Sequence, residues 1–494
     1  MGTLKRPPIV APLVPLAAAF AAGIVVAHEI TFPLFVWAVV GCLLLLCGFV
    51  IAPIRRWCVL LSMAALGGAN AQLYESTPHI PTSEAITATI EVCNHSRLSK
   101  WSDWQCDADI IEWNREGETP TRSNRHLKVS YKTEKPYPAG TQLRGRLKVK
   151  PFEQNGFGRV MSARGFEGYA HIDEPQTIGK RNSLRYRAQQ LQQTFVERIG
   201  LLGLTADDSA VAEAMITGYR QDITSDVRND YSATGSSHLL AVSGLHIGIV
   251  FLLINLLLAA LPLIRYGHLI RNIVAIALIW LFTLISGLSP SAIRAAIMFS
   301  TIQVGLLFTA HRTAINTLCG AGLIMLVIDP GYLYDISFQL SMTAVAGILL
   351  WHEPLYGFIH SESRVLNAIW SVIIIGFCAT IAITPLAAYT FGRVSLLGIV
   401  LGPVLVALAH VTILVGMVWC LLPFGFMRGV ASAILQWSVG AQNGIIGSSA
   451  EVPFSAIDWT PSGFVTILIY IGYAAATVLL LRTTQPHSPT IHFE

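Results

Sequence analysis

His238-Leu239-Leu240-Ala241-Val242-Ser243-Gly244-Leu245-His246 opens a long apolar run, and it sets two histidines and a serine where a chain entering lipid ordinarily carries Leu, Ile and Val. Polar groups inside a bilayer cost free energy, so each needs a compensating role. At helical spacing Ser243 and His246 share one face, and His238 falls one to two turns earlier, near the membrane surface. The spacing predicts a polar seam pointing into a helix bundle. Two plainer readings stay open: polar residues used only for helix packing, or an interfacial His238 with one interior histidine satisfied by a neighbour.

The rest of the chain has the composition of a membrane protein. Of 494 residues 53% are hydrophobic and 13% charged, and the mean hydropathy is +0.56. That is more apolar surface than a soluble domain of this length needs for its core. Apolar runs of about 17 to 25 residues, the length that spans a hydrocarbon core, recur. They predict spans at 9–28, 33–52, 57–73, 238–264, 272–289, 291–309, 313–329, 335–351, 368–390, 395–422, 429–450 and 462–481. The run at 291–309 carries Arg294, and that at 429–450 carries Gln436, Gln442 and Asn443, so either is alternatively re-entrant or amphipathic. The expected fold class is therefore mainly α: a polytopic helical membrane protein with about ten to twelve spans and an inserted small β-domain. The opening run is too long, and followed too soon by others, to read as a cleaved signal peptide.

Basic residues in short loops set the expected orientation. Lys5, Arg6, Arg55, Arg56, Arg265, Arg271, Arg312, Arg364, Arg428 and Arg482 fall on one side, with Arg393 the exception. Both termini are then cytoplasmic and residues 75–237 extracytoplasmic. The layout reads as transmembrane helices at 1–74, a β-domain at 75–182, amphipathic helices at the outer membrane surface over 183–237, a transmembrane domain at 238–482 and a cytoplasmic tail at 483–494.

Cys42, Cys47, Cys58, Cys319, Cys378 and Cys420 lie in or beside apolar spans, where they pack as small hydrophobes. Cys93 and Cys106 bracket residues 94–105 between two strand-like runs, Ile86–Val92 and Asp107–Trp113. A hairpin brings them near each other, and an oxidising compartment favours a disulfide there; two separate thiols are the other reading.

Around 127–132 and 143–150 the pattern alternates with period two, as in a strand. Leu143, Gly145, Leu147 and Val149 face one way, so Arg144, Arg146, Lys148 and Lys150 face the other. Charge is also segregated: acids dominate 75–118, whereas Arg122, Arg125, Lys128, Lys132 and Lys135 join the four cations above over 122–150. A polyanion is drawn to such a half, although solvated strand faces also carry charge and basic strands discourage aggregation. Trp101, Trp104, Trp113 and Tyr131 offer stacking surfaces or core packing. Further on, Ser291, Arg294, Thr301 and Gly305 fall on one helical face, as do Asp335, Gln339 and Thr343. Snorkelling of Arg294 and helix capping by Asp335 are the plain alternatives.

The opening string closely resembles the HLxAxSGxH signature of the ComEC family of DNA internalisation competence proteins. The stretch Ser289 to Met298 looks like the family's SxxRA element and Phe338-Gln339-Leu340-Ser341 like its FQLS element. Thr384-Pro385 gives a weaker match, with Gly402 in place of the usual Asn, and Gly218-Tyr219-Arg220-Gln221-Asp222 departs from a GDRS turn at Tyr219 and Gln221. The likeness runs through most of 30–480. It implies an inner-membrane channel for single-stranded DNA in natural transformation, with an OB-type barrel at the position of the β-domain.

On that reading Arg125, Lys128, Lys132, Arg144, Arg146, Lys148 and Lys150 contact DNA, and His238, Ser243, His246, Arg294, Asp335 and Gln339 line the channel. Gly244 with Gly248, and Gly398 with Gly402, have spacing suited to close helix packing. Many members continue into a metallo-β-lactamase-like domain with an HxHxDH motif; this sequence reaches Glu494 without one, and it has no GxxxxGK[ST]. No catalytic residue, metal or cofactor is expected. The expected partners are single-stranded DNA, membrane lipid, a DNA receptor, a separate nuclease and a cytoplasmic ATP-driven motor. Two rivals are a secondary transporter of another anion, for which no matching broken helices are seen, and a membrane hydrolase using Ser243 with His246, for which no GxSxG or orienting acid is seen.

Overall fold

Three apolar helices open the chain: α1 (Leu13–Glu29), α2 (Leu34–Val50) and α3 (Arg55–Glu75). The computed structural model describes residues 11–483 other than 31, 76–79, 82–83, 94–95, 99–102, 116–118, 124, 154–157, 159–160, 163–164, 182–183, 241, 264, 289, 308–313, 360, 396, 423–424, 451 and 453–455. Lys5, Arg6, Trp101, Arg312 and the tail at 484–494 lie outside the described residues. Contacts divide the chain into two units. One comprises Met1–Ile223, Leu240–Phe338 and His410–Trp437, the other Thr224–Leu239, Gln339–Ala409 and Ser438–Glu494.

In the first unit α1 and α2 both pack along α3. Pro12 and Pro33 precede the helices they start, where a missing N–H is no loss, and a short 3-10 turn at Ala52–Ile54 joins α2 to α3. The α1–α3 crossing is backbone against backbone. A Cβ built on Gly23 would lie 1.8 Å from the Ala64 carbonyl oxygen, and one on Gly67 2.1 Å from that of Phe20. Glycine at both positions is what permits the approach.

Seven strands follow: β1 (Ala85–Val92), β2 (Arg97–Leu98), β3 (Trp104–Asn114), β4 (Thr121–Arg122), β5 (His126–Tyr131), β6 (Thr141–Lys150) and β7 (Phe166–Lys180). The hydrogen-bonded path runs β1-β6-β7-β5-β3, and β3 pairs in turn with β1, so the five long strands return on themselves. Every pairing is antiparallel except β5 with β7. Alternation puts Ile86, Ile90, Ile110, Leu127, Leu143, Leu147, Val149 and Ile172 into one core.

The expected hairpin of β1 and β3 forms, but the expected disulfide does not. Val92 stands opposite Ala108, and the Cys93 N–H donates to the Asp107 carbonyl at 2.8 Å. Cys106 is therefore one residue out of register with Cys93, and one residue is a change of face. Cys106 is buried in the core, whereas the Cys93 thiol turns to the Glu91 carbonyl at 3.5 Å; the two are not bridged.

The next helices are α4 (Leu184–Gly200), α5 (Ala206–Thr217) and, in the second unit, α6 (Ser225–Ala233). α4 buries the stripe Ala188, Gln192, Phe195 and Ile199 along one face. α5 differs: every residue from Ala210 to Thr217 is buried. Its small residues allow this, and Gly416 supplies room, since a Cβ there would sit 2.1 Å from Ile216 Cδ1. Gln192 Nε2 donates to the Thr217 carbonyl at 2.7 Å, and Trp419 Nε1 to that of Arg198 at 2.9 Å.

The expected span at 238–264 is interrupted. A 3-10 turn at Ser237–Leu240 precedes α7 (Gly244–Leu257), and another at Leu261–Leu263 follows it. α8 (Gly267–Ile285), α9 (Pro290–Leu307) and α10 (Ala314–Ile328) complete the first unit's apolar helices, with α9 against α7, α8 and α10. Gly248 serves the predicted close packing, a Cβ there falling 3.4 Å from the Phe299 ring.

α11 (Ile336–Tyr356), α12 (Arg364–Phe391), α13 (Leu397–Leu421), α14 (Arg428–Ala450) and α15 (Gly463–Thr483) follow, with a small β8–β9 ladder of Arg393–Ser395 and Ala456–Asp458. In the second unit α12 and α15 pack together, Tyr470 donating to the Ala382 carbonyl at 3.0 Å. Each expected span coincides with one of α1–α3 or α7–α15. Among the described residues four helices, Gly267–Ile285, Arg364–Phe391, Leu401–Leu421 and Gly463–Leu480, are long and apolar enough to cross a membrane. Phe49, Leu257, Val365 and Phe464 stand outward and exposed, as side chains solvated by lipid do.

Candidate nucleic-acid interface and buried polar cluster

The β6 pattern holds in full. Leu143, Leu147 and Val149 are buried and Arg144, Arg146, Lys148 and Lys150 exposed. They form a row on the outer face of an interior strand, because β6 is paired on both sides. Arg144, Lys148 and Lys150 make no ion pair among the described residues.

The other predicted cations are engaged. The acids of β3 stand beside the bases of β5, so charges segregated along the sequence meet across strands: Asp107 opposite Lys128 and Asp109 opposite His126. Lys128 Nζ lies 2.8 Å from Asp107 Oδ1, Lys132 Nζ 3.8 Å from Asp103 Oδ1, and Arg125 Nε 3.1 Å from Glu167 Oε1. Of the aromatic residues singled out earlier, the three among the described residues turn inward. Trp113 and Tyr131 belong to the core or its rim, and Trp104 donates its indole N–H to the Thr133 carbonyl at 3.0 Å.

The second site is a buried polar cluster in the first unit. Ser243 is extended (φ −113°, ψ 175°) and is the N-cap of α7, not an interior helical residue. His246 reaches back to it: Nδ1 accepts the Ser243 N–H at 3.2 Å and lies 2.9 Å from Ser243 Oγ. The serine–histidine pair is thus a capping box that closes the first turn of α7. His246 is 0% exposed. The start of α9 is tied to the same loop, Ser291 Oγ donating to the Val242 carbonyl at 2.6 Å.

One turn into α9, Arg294 is 5% exposed. It is within electrostatic range of the Tyr332 hydroxyl, as are Asp329 and Asp335; burial first, then the Asp329 carboxylate, push that hydroxyl's pKa up. Asp335 does cap its helix, accepting the Ser337 N–H at 2.7 Å. Asp329 accepts the Gly331 N–H at 2.8 Å and is hydrogen-bonded to Tyr74. Gly218 joins the cluster from α5: its φ of 78° ends that helix, and a Cβ there would lie 3.1 Å from the Ser286 carbonyl and from Val242. Helix starts carry partial positive charge, so the beginnings of α7 and α9 with Arg294 form an anion-attracting locus tempered by two carboxylates.

His238 and Gln339 belong to the second unit. His238 is exposed and its Nδ1 lies 3.2 Å from the Gly235 carbonyl oxygen, while Gln339 is half-buried. Sequence reasoning passed over Tyr332 and Asp329, which carry no helical periodicity. Among the described residues no group of three or more His, Cys, Asp or Glu is arranged to hold a metal.

Comparison with known proteins bears on this second site. ComE operon protein 3 of Bacillus subtilis (strain 168) is 24% identical over 265 residues, covering 54% of this chain and 32% of that protein. An uncharacterized protein of Aquifex aeolicus (strain VF5) is 28% identical over 276 residues, covering 56% and 61% respectively. The uncharacterized protein YcaI of Escherichia coli (strain K12) is 26% identical over 198 residues, covering 38% and 26%. The chain therefore spans less than two thirds of the length of each of these relatives. No solved structure matches. A family model described as Competence protein matches residues 215–484, from the end of α5 through the capping box, Arg294 and Asp335 to the last helix. With more than half of its residues inside that match, the chain belongs to the competence protein family.

Proposed function

We propose that this chain is an inner-membrane channel that passes single-stranded DNA into the cytoplasm during natural transformation. The observation that carries the reading is the row of four exposed cations on β6, in a β-domain threaded between the helices of a competence-family chain. The strand order, the return of β3 to β1 and the parallel β5–β7 pair support an OB-type barrel for that domain. Residues 75–237 face the extracytoplasmic side and both termini the cytoplasm, as the basic loops favour. There the β6 cations take up the phosphate backbone by releasing its counterions.

Within the membrane, Ser243, His246, Arg294 and Asp335 supply polar groups beside which a hydrated strand crosses without exposing phosphate to lipid. A surface receptor delivers the DNA, a separate nuclease removes the second strand, and a cytoplasmic ATP-driven motor pulls. The test is a chromosomal replacement of Arg144, Arg146, Lys148 and Lys150 by Gln in a transformable host, with import scored separately from DNA held at the cell surface. Import should fall while surface-bound DNA and protein abundance hold. Unchanged import at normal abundance, or no import defect on deletion of the whole gene, defeats the proposal.

A further inference from the structure

From the outer face of the strand ring we infer that Tyr169 and His171 on β7 form a base-stacking ladder selective for single-stranded over duplex nucleic acid. The inference rests on the DNA-capture reading above and specifies how β7 extends it. Cross-strand register places Tyr169 between Lys150 of β6 and Lys128 of β5, and His171 between Lys148 and Ser130. Both rings are exposed, whereas Ala170 and Ile172 between and beyond them are buried.

Both rings are also held. Phe152 meets Tyr169 at 70° with centroids 4.8 Å apart. His171 Nδ1 lies 2.9 Å from Ser130 Oγ, and its Nε2 3.6 Å from Asp173 Oδ1. A ring already fixed in place loses little freedom when a base stacks on it.

The spacing selects the ligand. Alternate residues of a strand stand about 6.6 Å apart, and the next strand runs about 4.8 Å to the side. Bases stacked in a duplex rise only about 3.4 Å per strand, so no two neighbours in a helix can use both rings. A single strand can, with its bases drawn apart onto β7 and its phosphates along the cations of β6. Every base has a π-face, so such a ladder is indifferent to sequence.

The test uses the full chain in detergent and anisotropy with three labelled probes: a thymidine strand of about 20 nucleotides, an abasic strand of equal length, and a blunt duplex. Tyr169→Ala and His171→Ala should each weaken thymidine-strand binding by roughly 5- to 100-fold, with the salt slope and abasic-strand binding unchanged. Tyr169→Trp should bind as the wild type does, and retained abasic binding certifies the fold of each variant. Arg144, Lys148 and Lys150 changed together to Gln should instead weaken both strands and flatten the slope. Ring variants that lose both strands equally, or neither, overturn the ladder while leaving capture by β6 intact; so does a duplex held as tightly as the thymidine strand. A wild-type protein that binds no strand at all overturns the capture reading and the ladder with it.

Discussion

Glu213 offers the sharpest energetic test of the fold. Its carboxyl lies in the buried stretch of α5, 5% exposed, with Oε1 accepting from Ser209 Oγ at 2.9 Å and no partner for Oε2 among the described residues. Burial, partly offset by the Ser209 hydrogen bond and reinforced by Asp222, lifts its pKa from 4.5 to about 7. A gap of that size at about 1.36 kcal/mol per unit amounts to about 3 kcal/mol as an upper bound. The raised value means the folded protein resists ionisation. Below pH 4.5 both folded and unfolded chains are protonated and the group is neutral in its effect; stability is lost as pH rises from there to about 7, and the whole penalty applies above. Glu213→Gln keeps an acceptor for Ser209 and removes the charge. Thermal unfolding followed by circular dichroism should show the variant more stable at pH 8, by up to about 3 kcal/mol, with the gain gone near pH 4.5. A gain of equal size at both pH values, or a loss at pH 8, refutes the assignment of a buried, strained carboxylate.

Gly218→Ala should lower the melting temperature more than Gly203→Ala: both carry positive φ, about 1 kcal/mol for any Cβ, but only at Gly218 does the Cβ meet other atoms. Equal losses would mean the contact with Ser286 and Val242 is soft. The Cys106 thiol, pushed up to about 12 chiefly by burial, should stay unlabelled by maleimide at pH 8 in the folded protein while Cys93 reacts. A Cys93–Cys106 peptide in an unreduced digest would contradict the register of β1 and β3. Ser243→Ala and His246→Leu should each cost about 1 kcal/mol and the double variant little more, because they break one capping box; additive losses would show two independent roles.

The apolar helices and the strands β1, β3, β5 and β6 were legible because each has its own period. Alternation around Leu143–Lys150 located both faces of β6, and apolar length located α1–α3 and α7–α15. What depended on register was not legible. Nothing local says that Cys93 opposes Asp107 and not Cys106, or that Asp107 meets Lys128, so the sequence overstated both the disulfide and the free basic surface. The motif at Ser243 misled for a different reason. Ser243 and His246 three residues apart fit a helix interior and a capping box equally well, and only the extended backbone at Ser243 distinguishes them. Tyr169 and His171 alternate with Ala170 and Ile172, a period-two signal that the sequence carries but that no tryptophan marks.

The return of β3 to β1 makes β7 a keystone. Until Phe166–Lys180 is in place, β6-β1-β3-β5 is an open sheet with two raw edges, and β7 closes both at once, antiparallel to β6 and parallel to β5. An open edge templates pairing with other chains, and lysine and arginine along it are the usual deterrent. The cations of β6 stand on one of those edges, and Lys128 of β5 on the other, with Lys132 just past its end. The same side chains that face a polyanion in the finished domain thus guard a half-built sheet while the chain is still emerging, so neutralising them should raise aggregation during biogenesis even where the mature fold is unharmed.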